Sequence, residues 1–254
     1  MKKKFLLISI IVSAMFLIVV SVILFINDTP YRQSRRLVRN IKEGNYTKVQ
    51  KLLEDGVDPN YPTSKPSFLD VIVEHSPDVP LAVACDKNDV EIVKLLIQYG
   101  ANCDYVEGTG WPAIYELLFY YDATDLELVK ILLENGADKF QYDVYYKWPV
   151  FAAAQMRPTN NLLPYEDRIY EEDIAREITE IVILLSPDEA FDIRGAQDET
   201  LLMAAAKAGN LFLVRYLLSK GNSVELRDCW NKSAYDYASE NGHTEIAELL
   251  SSYR

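Results

Sequence analysis

One phrase recurs along the chain: an apolar stretch ending in Leu-Leu or Leu-Ile, one or two further residues, then Gly. It appears as Val49 to Gly56 (VQKLLEDG), Val93 to Gly100 (VKLLIQYG), Val129 to Gly136 (VKILLENG) and Val214 to Gly221 (VRYLLSKG). In every copy the residue twelve before the Gly is a turn-former or cap: Gly44, Asn88, Thr124 and Gly209. Apolar side chains at i, i+3, i+4 and i+7 predict a short amphipathic helix, and the Gly supplies the left-handed conformation that ends one. A unit this small cannot bury its own apolar face, so the chain must stack one copy on the next.

A second helix precedes each of these. Val79-Pro80-Leu81, Trp111-Pro112-Ala113 and Trp148-Pro149-Val150 put proline where a helix begins, a position whose amide is unpaired anyway. Thr200-Leu201-Leu202 and Ser233-Ala234-Tyr235-Asp236 offer hydroxyl N-caps instead, the latter with Asp in the capping-box position. Each unit is thus two antiparallel helices and a connecting finger, and six units start near Tyr31, Tyr61, Tyr105, Tyr142, Asp198 and Cys229.

These residues resemble the ankyrin repeats, whose consensus carries T-P-L-H-x-A at the first helix and G-(N/H)-x-E-I-V-x-L-L-L-x-x-G-A at the second. Asp89 to Ala101 (DVEIVKLLIQYGA), Leu126 to Ala137 and Ala238 to Leu250 lie close to it. The resemblance covers nearly everything after residue 30. It implies an all-α solenoid of about six helix-turn-helix units whose concave surface and fingers hold a protein partner. The chain departs from the pattern in three ways. The His of T-P-L-H is absent from every copy. Successive closing glycines lie 44, 36 and 85 residues apart, which places insertions near 61–78 and 157–173. The fourth unit has Ser186-Pro187 in place of its closing Gly, since proline cannot continue a helix.

Residues 1–30 form a separate segment. Lys2, Lys3 and Lys4 precede an uncharged apolar run over 5–26, which as a helix spans about 33 Å against a hydrocarbon core of about 30 Å. The run is longer than a signal-peptide core and ends in Leu24-Phe25-Ile26-Asn27 with no small-residue cleavage site, so one uncleaved transmembrane helix is expected ahead of the repeats at 31–254. Lys2 to Lys4 on one side nearly balance Arg32, Arg35, Arg36 and Arg39 on the other; the short basic tail favours a cytoplasmic N-terminus and an extracytoplasmic repeat domain. The same four Arg fall on one helical face opposite Leu37, Val38 and Ile41, and form either a stripe against lipid headgroups or ordinary surface charge.

The whole chain carries a net charge of -12, and setting aside residues 1–30, with three Lys and one Asp, leaves -14. That balance repels phosphate backbones and excludes nucleic acid as a partner. Cys85, Cys103 and Cys229 form no C-x-x-C pair and read as small buried residues; with only His75 and His243 beside them, no metal site is expected. The acidic group Glu166, Asp167, Glu171, Glu172 and Asp173 lacks the Gly-spaced alternation of a calcium loop and reads as a solvated segment. No phosphate-binding glycine loop, H-E-x-x-H, G-x-S-x-G or dinucleotide fingerprint is present, and Cys229 with His243 both hold repeat positions. The expectation is therefore a binding protein: no enzyme, cofactor or small-molecule substrate.

Ten of the 17 Tyr lie between Tyr99 and Tyr170. Tyr105, Trp111, Tyr142, Tyr145, Tyr146 and Trp148 fall at or beside the fingers of the third and fourth units and are the candidate partner-binding residues, because Tyr and Trp give large contact area with few rotors to freeze. Tyr145 and Tyr146, being consecutive, cannot both point inward. Trp111 and Trp148 sit where a helix starts and could equally pack on the core.

Overall fold

The computed structural model describes residues 15–19, 29–64, 78–106, 111–119, 126–141, 148–158, 171–187 and 192–253. From residue 29 onward these form twelve α-helices in six pairs: α1 (29–42) with α2 (Tyr46–Glu54), α3 (Pro80–Asp86) with α4 (Val90–Gln98), α5 (Ala113–Phe119) with α6 (Leu126–Glu134), α7 (Pro149–Ala154) with α8 (Glu172–Leu185), α9 (Leu201–Ala208) with α10 (Leu211–Ser219), and α11 (Ala234–Glu240) with α12 (Thr244–Ser251). No strand occurs among the described residues; a single antiparallel bridge, Arg194 to Thr200, closes the fifth finger. The all-helical, six-unit expectation holds. Of the apolar span at 5–26 only 15–19 is described, as helix, and no helix among the described residues is long and apolar enough to cross a membrane.

The helix ends follow the punctuation read from the residues. Val79 and Trp148 are extended and hand directly into Pro80 and Pro149. Ser233 Oγ accepts from the Asp236 amide at 3.3 Å while Asp236 Oδ2 accepts from the Ser233 amide at 2.8 Å, completing the capping box. Asp89 and Asn210 cap α4 and α10 through Ile92 N–H (3.0 Å) and Leu213 N–H (2.9 Å). At the far ends Gly100 takes φ +87, and α8, without such a glycine, stops where Ser186 turns extended before Pro187.

The helices stack in two rows. α3, α5, α7, α9 and α11 form an inner row, each packing on the next, and α2, α4, α6, α8, α10 and α12 form an outer row in the same way. One continuous core runs between them, through Leu37 and Ile41 of α1, Ile92 and Leu96 of α4, Ile114, Tyr115 and Leu118 of α5, Leu132 of α6, Phe151 of α7 and Ile178 of α8. The basic stripe is resolved on α1 as expected: Arg32, Arg35, Arg36 and Arg39 are exposed while Leu37, Val38 and Ile41 are buried.

Successive fingers are joined by side chains of Asx residues. Asp58 folds its own finger by accepting from the Asn60 amide (2.8 Å); Asn60 then accepts from the Asn102 amide (2.7 Å) and donates to the Gly100 carbonyl (2.9 Å) of the next finger. Asp104 repeats the link by accepting from the Asp138 amide at 2.8 Å. The next position in register is Phe140, and there the polar ladder gives way to an edge-to-face contact with Trp148, ring centroids 6.0 Å apart. Asn60→Ala removes two exposed links and should lower the unfolding free energy by about 1 kcal/mol in a urea titration, whereas Asn60→Asp, which keeps the acceptor, should recover roughly half. No change in Asn60→Ala would show that the fingers are held by packing alone.

Candidate binding surface

The fingers and the inner helices that follow them form one face. Of the six aromatic candidates, Tyr142, Tyr145 and Tyr146 lie outside the described residues. Tyr105 is half-buried behind the turn that Asn102 and Asp104 form in the third finger. Trp111 and Trp148 are half-buried and pack on the core. The core packing that the sequence left open at these two positions is present at both.

The most exposed aromatic side chain of any finger among the described residues is Trp230, at 56%. It sits at the tip of the sixth finger in a turn held by Asp228. One carboxylate oxygen of Asp228 accepts from the amides of Trp230 and Lys232, both at 2.9 Å, and the other accepts from the Tyr237 hydroxyl on α11. Burial favours the neutral form of Asp228, but the hydrogen bonds from Tyr237 and the two amides outweigh it and hold the carboxyl below its usual range. The Tyr237 hydroxyl is pushed up by burial and by the Asp228 carboxylate. On the outer side Arg227 donates to the Asn231 carbonyl (2.6 Å), and Asn231 takes φ +62. Across to the fifth finger, Cys229 N–H donates to the Gln197 carbonyl at 3.0 Å, and Gln197 and Asp198 both take φ +61. Three of the four non-glycine residues with positive φ among the described residues therefore fall in these two fingers, a concentration of strain typical of shaped recognition loops. The signal in the residues was Asp228-x-x-Asn231, a turn that leaves whatever stands between them outside; the tyrosine-rich middle of the chain drew the attention instead.

Cys229 is exposed at that tip, which corrects the expectation of a buried residue, while Cys85 and Cys103 are buried. Burial raises both buried thiols, Cys103 to about 11, and keeps them unreactive. Cys229 and His243 lie at opposite ends of α11, separated by about 10 Å of helix rise, too far for a nucleophile and its base. In the acidic segment Glu166 and Asp167 lie outside the described residues, and Glu172 pairs with Arg176 at 2.6 Å. No cluster of three or more His, Cys, Asp or Glu able to hold a metal ion occurs among the described residues. Within the basic stripe, Arg35 donates to the Thr63 carbonyl at 2.8 Å and so helps dock the segment after α2.

A family profile described as Ankyrin repeats, in three copies, matches residues 37–143 and 174–254. The chain belongs to the ankyrin-repeat family. A 63-residue stretch, 22% of this chain, is 38% identical to the transient receptor potential cation channel subfamily A member 1 homolog of Caenorhabditis elegans, and covers 5% of that protein. The unmatched interval at 144–173 contains α7 and the second insertion, placed at 157–173. Ankyrin repeats generally mediate protein–protein interaction, and the inner row here carries one carboxyl that its surroundings shift strongly. Glu116 on α5 is raised to about 7, first by burial and then by the carboxylates of Asp86 and Asp78 on the preceding unit. Lys87 and Lys42 neutralise those two at 2.8 and 2.7 Å but leave Glu116 among acids. A carboxyl raised on folding stabilises below its ordinary pKa, and that stability is lost as pH rises from 4.5 to about 7. Glu116→Gln should therefore gain on the order of 2 kcal/mol over the native chain at about pH 8 and nothing at about pH 4, measured by urea unfolding at both.

Proposed function

We propose that this chain is a membrane-anchored ankyrin-repeat scaffold that grips a protein partner with its fingers and inner helices. The carrying observation is that described finger residues are tied to the neighbouring finger at three places, through Asn60, Asp104 and Gln197, because a surface ordered before binding loses little entropy on binding. The anchor is supported by the 22-residue uncharged run at 5–26 and by Met15 to Val19, which are helical with side chains 52–68% exposed. Apolar side chains so exposed need lipid or a partner to cover them. The repeat domain lies on the extracytoplasmic side, reached by translocation behind a short basic tail; a reporter fused after Arg254 reads out on which side it emerges.

In-cell crosslinking of the full chain, followed by identification of the captured proteins, tests the scaffold reading. A defined partner set is expected, reduced about tenfold when Tyr105, Tyr145 and Tyr146 are changed to Ala together. A set indistinguishable from that of an unrelated acidic membrane protein would sink it. The exposed stripe of Arg32, Arg35, Arg36 and Arg39 supports a second contact, with anionic headgroups, worth about 1 kcal/mol per charge at the surface. A fragment from Tyr31 onward should bind phosphatidylserine vesicles, and lose them when the four Arg become Ser.

A further inference from the structure

The tip of the sixth finger is built more tightly than a connecting loop requires. Asp228, Arg227 and Gln197 between them fix the backbone on both sides of Cys229 and Trp230, yet the indole that this frame presents remains 56% exposed. Its removal would therefore sacrifice little core packing. An exposed indole on a pre-ordered turn is a contact surface with its rotor and backbone entropy already lost.

The charges around it decide what it meets. Two nearby cations are paired with carboxylates, Arg227 with Asp236 (3.3 Å) and Lys232 with Glu240 (2.6 Å), while Arg194 is held by the carbonyls of Asp198 (2.8 Å) and Arg227 (2.9 Å). Asp198 and Glu225, on the fifth and sixth fingers, are exposed and make no ion pair among the described residues. The two fingers, tied by the Cys229–Gln197 backbone bond, thus expose an indole and two carboxylates that make no ion pair among the described residues, on a domain of net charge -14 after residue 30. An arginine-bearing segment satisfies both features, with a guanidinium stacked on the indole, the strongest of the aromatic rings for this contact, and its positive charge matched to the exposed carboxylates. An acidic segment would meet repulsion instead.

We infer that the tips of the fifth and sixth fingers, centred on Trp230 with Asp198 and Glu225, form a docking site for an arginine-bearing segment of a partner protein. This rests on the scaffold reading and specifies where and by what chemistry that scaffold binds.

The full chain in detergent micelles, titrated with a short glycine–arginine peptide at physiological ionic strength, should show a change in tryptophan emission that is absent from Trp230→Phe. Trp230→Phe should keep most of the affinity, Trp230→Ala should lose about tenfold, and Asp198→Asn with Glu225→Gln about three- to fivefold. The unfolding midpoint of Trp230→Ala should match that of the native chain. A glycine–glutamate peptide should not bind. If the arginine peptide fails to bind, binds Trp230→Ala within twofold of the native chain, or is matched by the glutamate peptide, the assignment is wrong. If crosslinking still captures a specific partner set with Trp230→Ala undiminished, this site falls while the scaffold reading stands; if no specific partner is captured by any form, the scaffold reading falls as well.

Discussion

Phe151→Ala is expected to lower the unfolding free energy by about 3–5 kcal/mol and to split one cooperative transition into two. Phe151 lies on α7, in the inner row, and is 1% exposed. Its ring reaches the fifth finger, where a methyl group on Gly195 would stand 2.9 Å from the ring tip. The residue thus joins the fourth unit to the fifth. In a solenoid each unit touches only its neighbours, so cooperativity passes through such junctions and nowhere else. The Asx ladder of the earlier fingers ends at Phe140, and the polar links at this junction are Gln155 Nε2 to Glu199 (2.7 Å) and Asn210 Nδ2 to the Ala175 carbonyl (3.2 Å). Loss of the ring leaves a cavity that the short helix α7, only six residues long, has little means to fill. Far-ultraviolet circular dichroism and tryptophan emission, followed through the same urea titration of the full chain in detergent, should separate in Phe151→Ala and coincide in the native chain. Phe151→Leu, which keeps most of the volume, should cost about 1.5 kcal/mol and stay cooperative. A single coincident transition in Phe151→Ala, displaced by less than 1 kcal/mol, would mean that the junction is carried by other contacts.

The helix pairs were legible because their limits are written in residues with few alternative conformations. Pro80 and Pro149 can begin a helix but not continue one, and Gly100 takes a φ that other residues avoid. The core was legible for the same reason: Ile92, Val93 and Leu96 recur at helical spacing and are all fully buried. What could not be read were relations between distant units. Asn60 and Asn102 are 42 residues apart, and no local pattern marks them as partners. Glu116 owes its raised pKa to burial and to Asp86 and Asp78, neighbours that only stacking brings beside it. The aromatic candidates divided along the same line. Trp111 and Trp148 were open to two readings because the residue before a helix-starting proline can face either way, and both lie half-buried against the core. Trp230 is placed by its own turn, so it was within reach of the residues alone.

Gly209→Ala should destabilise the chain by about 3 kcal/mol, and most of that loss should vanish when His243 is also removed. Gly209 ends α9 with φ +80, a conformation that costs an L-residue roughly 1 kcal/mol or more. The steric effect is larger. A Cβ there would lie 2.5 Å from Cε1 of His243 and 2.8 Å from both ring nitrogens, well inside contact distance, so the imidazole must leave. That ring is not free to swing away unnoticed: it approaches the Lys207 carbonyl at 3.3 Å, and His243 is the N-cap residue of α12. Displacing it shifts the sixth unit against the fifth, the junction through which α9 and α11 share their core. The double variant Gly209→Ala with His243→Ala removes the clash but keeps the backbone strain, so its total loss should fall short of the sum of the two single losses by about 2 kcal/mol. Strict additivity would show that backbone strain, and not the imidazole, is what alanine at position 209 offends.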